Sequence, residues 1–302
     1  MEDWSLIPTY FAAAHVYHAP KIEFQHGRFV PYYESPQRVD ALLDALEDAS
    51  LIHCIEPASD LPRHMLAQVH DPVMLSLFEA TSADARQLVQ DDLASYGMHE
   101  PLPDDEDVYY YPSIFVKPEK SQRDSTRLGA YMTDSSSPVG IHTWEAALAS
   151  AAMAYAGAQA LLQGEKQAYA LGRPPGHHAG YDFMGGYCYL NNAAIAATAL
   201  KARGKVALLD IDYHHGNGTQ SIFWDDPDVL FASLHIEPAI DYPYYSGAET
   251  EIGGEQAQHT TLNLPLPVGT DERAYITALD HALERIAAFE PEALVISLGF
   301  DT

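Results

Sequence analysis

Three observations predict an α/β fold for this chain: a parallel sheet with helices on both faces, in three layers. From residue 143 onward, short apolar runs alternate with stretches of helical periodicity. Three of those runs end abruptly in aspartate, histidine and glycine, and open parallel sheets place their chemistry at such strand ends. The third observation is size: 302 residues with 47% hydrophobic content can bury one large core. No internal repeat, linker or low-complexity tract divides the chain, so one domain over 1–302 is expected.

The first 35 residues are aromatic and irregular, with His15, His18 and His26 scattered without ligand spacing. Residues 34–49 then place Val39, Leu42, Leu43 and Leu46 on one side of a predicted helix. A second helical segment follows around 64–79. Between 91 and 142 no period is sustained and proline, serine and acids dominate, a pattern of functional or irregular segments. Its acidic centre, DDEDVYYYP at 104–112, could hold an alkylammonium chain by charge and cation–π contact. It could equally be a solvated loop whose tyrosines pack locally.

The regular part begins with a helix over 143–162, opened by Thr143 with Glu145 in its first turn. It contains the longest apolar stretch, 146–162, but its alanines and Gln159 mark a buried helix, and no membrane span is expected. A strand over 169–171, a polar loop, a helix from 191 and a strand over 206–210 come next. A short helix after Gly218, a strand over 229–234, a helix over 272–289 and a strand over 293–298 complete the alternation.

Forty-three acids against 16 bases give a net charge of −27. That balance argues against nucleic acid, whose phosphates need clustered cations. It suits a cationic substrate, or serves solubility alone. The two cysteines, Cys54 and Cys188, and an N-terminus without a basic stretch lead to the expectation of a reduced, cytoplasmic protein.

The densest chemistry lies in VALLDIDYHHGNGTQ at 206–220. Side chains two apart on an extended backbone point the same way, so Asp212 and His214 can converge on one metal ion, with Asp210 one step deeper. An isolated D-x-H is as readily a helix cap beside a surface histidine. Here two further strand ends have the same form: RPPGHHAGYDFMGGYCYLNN at 173–192 and SLGFDT at 297–302. Glycines and prolines stiffen the first of these and set the paired His177 and His178 as acid–base groups, while Gly176, Gly185 and Gly186 let backbone approach a ligand.

RPPGHHAG, GGYCYLNN, LDIDYHHGNGTQ, FASLH and SLGFDT, in this order, closely resemble the motifs of the histone deacetylase and acetylpolyamine amidohydrolase family. The likeness extends upstream through SSSPVGIHTWEAA and VPYYESPQR, pieces more similar to the acetylpolyamine amidohydrolases than to the eukaryotic histone enzymes. The resemblance implies the arginase/deacetylase-like fold. It also implies a zinc ion held by Asp212, His214 and Asp301, with Fe2+ or Co2+ able to substitute at such an oxygen-rich site. His178 would be the general base and then acid, His177 its electrostatic partner, with Asp210 behind His177 and Asn217 behind His178. An asparagine at 217, where some relatives have aspartate, should leave His178 less basic.

The family also implies structural K+ on carbonyls of Asp210, Asp212, His214, Ser233 and Leu234, and at a second site using Phe223, Asp226 and Val229. Gly186 and Tyr187 would line a narrow tunnel. Glu23 and Glu106 would place exposed carboxylates at its rim, where the ammonium of a small acetylated amine arrives. The segment 91–142 resembles the insertion through which acetylpolyamine amidohydrolases pair, so a homodimer is expected.

The implied function is a zinc-dependent amidohydrolase removing acetyl groups from acetylpolyamines, with acetyl-lysine proteins as the alternative substrate. A ureohydrolase of the arginase type, binding two manganese ions through further aspartates, is disfavoured by the paired histidines of 173–192 and by the lack of an extra D-x-D at the third strand end. A catalytically weak, metal-bound acetyl-amine binding protein is the non-enzymatic alternative. The family pattern continues past the third ligand through a strand, a tyrosine that stabilises the oxyanion and closing helices. The chain read to Thr302 is therefore expected to be a deacetylase domain lacking its C-terminal part.

Overall fold

The computed structural model describes residues 6–25, 27–56, 61–103, 107–114 and 121–299. In chain order, β1 (Ile7–Tyr10) leads to a hairpin of β2 (Ile22–Gln25) and β3 (Arg28–Pro31), then α1 (Pro36–Asp48) and β4 (Ile52–Ile55). Two helices follow, α2 (Arg63–Val69) and α3 (Pro72–Ser95), and then β5 (Tyr109–Tyr110), α4 (Asp124–Leu128) and β6 (Val139–Gly140). The α/β part comprises α5 (Thr143–Leu162), β7 (Tyr169–Ala170), α6 (Asn192–Leu200), β8 (Val206–Asp210) and α7 (Asn217–Phe223). It closes with β9 (Val229–Ile236), β10 (Thr261–Leu266), α8 (Glu272–Phe289) and β11 (Ala293–Ser297).

The central strands are parallel, as predicted, but among the described residues they form two pieces, β4-β1-β7 and β10-β9-β8-β11. All of β8 and β9 is buried, which is why VALLD and VLFASLHI read as near-continuous apolar runs instead of alternating ones. Successive side chains serve opposite layers. Val206, Leu208, Val229 and Phe231 pack with Ala194, Ile195 and Ala197 of α6, while Ala207, Leu209, Leu230 and Ala232 pack with Ala282, Ile286 and Phe289 of α8. Each fully buried branched side chain contributes about 1.5–3 kcal/mol, so this double burial dominates the local energetics.

Helix boundaries follow their caps. Asp71 accepts a hydrogen bond from Val73 N at 2.6 Å, and Pro72 pre-sets the first turn of α3. Asn191 and Asp271 cap α6 and α8 through Ala194 N and Ala274 N. The alanine-rich face of α5 is largely buried and lies against α6 and β1.

Several expectations are corrected. The segment expected around 64–79 is two helices, divided where His70 and Asp71 leave the helical region, and the second runs on to Ser95. The stretch 91–142 accordingly holds the end of α3, the short antiparallel pair β5–β6, and α4. Strands β1, β4 and β10 add to the predicted set. His15 and His18 are buried and packed, whereas His26 lies outside the described residues. No described helix is long and apolar enough to cross a membrane.

Candidate active site

The loops after β7, β8 and β9 meet at one cavity of about 1020 Å³. His177, His178, Gly186, Tyr187, Asp212 and His214 line it together, joined by Asp134, Tyr242 and Tyr244. The cavity continues between β7 and β11, whose edges face it from the two pieces of sheet.

The loop carrying the histidine pair is held from behind. Arg173, 1% exposed, donates from Nε to Glu34 Oε1 at 2.6 Å, and its terminal nitrogens donate to the carbonyls of His15 and Glu34. His70 Nδ1 lies 2.8 Å from Gly180 O, and its Nε2 accepts from Asn191 N at 2.9 Å. Gly186 adopts φ +53 with its Cα against the His178 ring, so a side chain there would collide with the imidazole.

The two histidines have unlike partners. His177 Nδ1 is 3.0 Å from Asp210 Oδ2, and its Nε2 is 3.8 Å from Asp212 Oδ1. Burial works against its charge, but the Asp210 and Asp212 carboxylates outweigh it and raise the pKa to about 9, leaving an imidazolium at neutral pH. His178 Nδ1 is 2.7 Å from Asn217 Oδ1, a neutral acceptor. Burial, followed by repulsion from His177, holds His178 well below the ordinary histidine range. The ring centroids are 3.9 Å apart, so a charged and a neutral imidazole stand side by side.

Asp212 Oδ1 accepts from His214 N at 2.7 Å and stands 3.2 Å from His214 Nδ1. Burial penalises this carboxylate, yet His177 and the His214 hydrogen bonds prevail and keep it ionised, the form a metal requires. Two ligands each about 2.0–2.2 Å from a tetrahedral ion are separated by roughly 3.4 Å, so the pair fits one ion. Among the described residues no group of three or more such side chains forms a metal cluster. Asp301 lies outside the described residues, but Gly299, two positions earlier, runs directly against Asp212 Oδ2.

The positions expected for K+ also cluster by strand register. Asp210 pairs with Ser233 across β8 and β9, with Leu234 next along, and Asp212 N turns back onto Asp210 Oδ1 at 3.1 Å. Phe223, Asp226 and Val229 form one turn in which Asp226 N donates to Phe223 O and Val229 N to Asp226 O. Lys201 Nζ sits 2.5 Å from the Asp226 carboxylate.

At the tunnel the rim reading is corrected. Glu23 is 1% exposed and not an exposed carboxylate. Tyr187 donates to it (2.9 and 3.0 Å to its two oxygens) while accepting from Gln25 Nε2 at 3.0 Å. Burial raises the Glu23 pKa, and these hydrogen bonds offset part of the rise. Glu106 lies outside the described residues. Two tyrosines of the acidic stretch pack on the distant amino-terminal segment: Tyr109 sits edge-on to His18 and accepts from Ala19 N, and Tyr111 donates to Ile22 O at 2.7 Å.

Sequence reasoning missed Asp134, Tyr242 and Tyr245. Asp134 Oδ2 accepts from Gly186 N at 2.9 Å and from Tyr242 Oη at 2.7 Å, tying two cavity walls together. Burial and the Asp134 charge push the Tyr242 phenol far above its usual range. Tyr245 Oη accepts from Asn217 Nδ2 at 2.8 Å. The available signal was DYPYY at 241–245, which follows the end of β9, where the strand-end rule applies again.

Comparison with known proteins shows the family. Residues 32–302 match the family described as histone deacetylase domain. Acetylpolyamine amidohydrolase 2 of Pseudomonas aeruginosa is 38% identical over 296 residues, covering 97% of this chain and 82% of the relative. The acetylpolyamine amidohydrolase of Mycoplana ramosa is 39% identical over 297 residues, with the same coverage of 97% and 82%. The crystal structure of acetylpolyamine aminohydrolase from Burkholderia pseudomallei superposes with a TM-score of 0.86 at 38% identity, covering 98% of this chain and 82% of that one. The two imidazoles with unlike partners beside an aspartate–histidine pair therefore sit in a family context that the whole alignment supports: this chain belongs to the histone deacetylase family.

Proposed function

We propose that the protein is a zinc-dependent amidohydrolase that releases acetate from small cationic acetylated amines, acetylpolyamines foremost. The observation that carries the reading is the placing of His177 on the Asp210 carboxylate and His178 on the Asn217 amide, beside Asp212 and His214 in one cavity. Asp212, His214 and Asp301 would hold the ion. When bound, it supplies a Lewis acid for the amide carbonyl and an acidified water.

The residues divide the proton work. With its Nδ1 proton given to Asn217 Oδ1, His178 keeps an Nε2 lone pair for the cavity it lines. There it takes a proton from the attacking water and returns it to the nitrogen of the amine as the C–N bond breaks. His177, kept protonated by Asp210, offers positive charge where the carbonyl oxygen gains electrons. Tyr187 and Tyr242 wall the approach. Acetate and a free amine are the products, and the acidic surface favours a cationic amine over a neutral one.

K+ on the carbonyls of Asp210, Asp212, His214, Ser233 and Leu234, and at the Phe223, Asp226 and Val229 turn, completes the proposed ion set, with Fe2+ or Co2+ as alternatives at the catalytic position. A homodimer pairing through 91–142 and a cytoplasmic setting, in keeping with the unpaired Cys54 and Cys188, belong to the same reading. The deciding experiment measures acetate release by zinc-loaded protein from acetylputrescine and from an acetyl-lysine peptide. Preferential turnover of acetylputrescine is expected. Preference for the peptide would replace the substrate class, and no hydrolysis of either would leave the binding-protein alternative.

A further inference from the structure

The loop between β9 and β10 reaches His178 once directly and once through Asn217. Tyr242 sets its ring edge-on to the imidazole at 4.7 Å, and three residues later Tyr245 reaches Asn217, the partner of His178 Nδ1. This loop is fixed in place near its middle, just after Tyr245. Gly247 N donates to Glu251 Oε2 at 2.9 Å, and Gly247 O lies 3.0 Å from His235 Nε2.

Asn217 is a carboxamide with two unlike ends, and only its oxygen can accept the Nδ1 proton of His178. Turned over, it would present its NH2 group to Nδ1. The imidazole proton would then sit on Nε2, and the lone pair that the base needs would be lost. Asn217 is 3% exposed, so water is a poor partner for the NH2 end. The Tyr245 oxygen accepts from that end at 2.8 Å, and the residue is 63% exposed. An aspartate at 217 would not have this need, since either carboxylate oxygen can accept.

We propose that Tyr245 is a positioning residue that fixes the Asn217 amide and thereby the Nε2-unprotonated tautomer of His178. The proposal rests on His178 being the base, as argued above. It joins an exposed phenol to the reacting proton through one side chain, with no contact to substrate required.

The test is a double-mutant cycle of Tyr245→Phe and Asn217→Asp in the zinc-loaded protein, read by acetylputrescine kinetics and by the side-chain 15N resonances of His178. In the native background Tyr245→Phe should lower kcat roughly tenfold and leave KM within about twofold. The Nε2 resonance should move toward the protonated position. In the Asn217→Asp background the same substitution should change neither readout. Unchanged kcat and 15N shifts in Tyr245→Phe, or an equal loss in both backgrounds, would overturn the proposal. Failure of the native protein to hydrolyse any acetylated amine would instead overturn the base reading, and the 15N comparison would still report whether Tyr245 sets the tautomer.

Discussion

Tyr187 and Glu23, 164 residues apart in sequence, are joined by a phenol that reaches both oxygens of a buried carboxylate. Glu23 therefore bears on the cavity through the Tyr187 ring it holds and not as an exposed charge. Glu23→Gln keeps an acceptor but loses the charge assistance, a difference of about 1 kcal/mol. Steady-state kinetics should show KM rising by a similar factor for acetylputrescine and for a neutral N-alkylacetamide. A loss confined to the cationic substrate would mean that Glu23 meets the ammonium itself.

Ligands and base should separate in metal analysis. Asp212→Ala and His214→Ala are expected to reduce bound zinc well below one equivalent. His178→Ala should retain the metal while kcat falls about 10²–10⁴-fold, the range of a lost acid–base group. Full zinc occupancy in Asp212→Ala would remove that residue from the ligand set.

The ion pair of Arg173 and Glu34 is buried on both sides and anchors the start of the histidine loop. Breaking one side strands the other, at a cost of about 3–5 kcal/mol. Glu34→Gln should lower the urea midpoint accordingly without changing the slope of the transition. A midpoint equal to that of the native protein would show the pair to be energetically silent.

His70 links acid stability to the same loop. Burial lowers its pKa to about 4, partly offset by the bond to Gly180 O, while the unfolded residue titrates near 6.5. Between these values the unfolded chain binds the additional proton. This contribution is thus complete above pH 6.5 and is lost as the pH falls toward 4, on the order of 3 kcal/mol in all. His18, His215 and His235 shift in the same direction. The measurement is therefore the slope of unfolding free energy against pH, which should be shallower in His70→Gln than in the native protein.

Much of this was legible in the residues. VALLD followed by IDYHH announces a buried strand running into chemistry, and β8, α5 and α8 lie where periodicity placed them. What stayed hidden depends on distant partners. IPTY and IHCI become strands β1 and β4 by pairing with each other. The later turns of α3 space Leu88, Val89 and Leu93 along one side but leave them only half-buried among acids, alanine and glutamine. Glu23 looks like surface in sequence because its burial comes from Tyr187, and Tyr245 gains its role only where its loop folds back onto Asn217.

Arg173 reaches the His15 carbonyl across 158 residues, which gives the fold a timetable. At a synthesis rate of about 5–20 residues per second, the amino-terminal segment waits roughly 8–30 s before its guanidinium partner and β7 leave the ribosome. Throughout that interval β1 carries an unpaired edge and the carboxylate of Glu34 has no Arg173 to meet it. Assembly of the histidine loop is thereby postponed until late in translation, and a nascent chain halted before residue 173 should be captured by chaperones that bind exposed strand edges, whereas one halted after α6 should escape them.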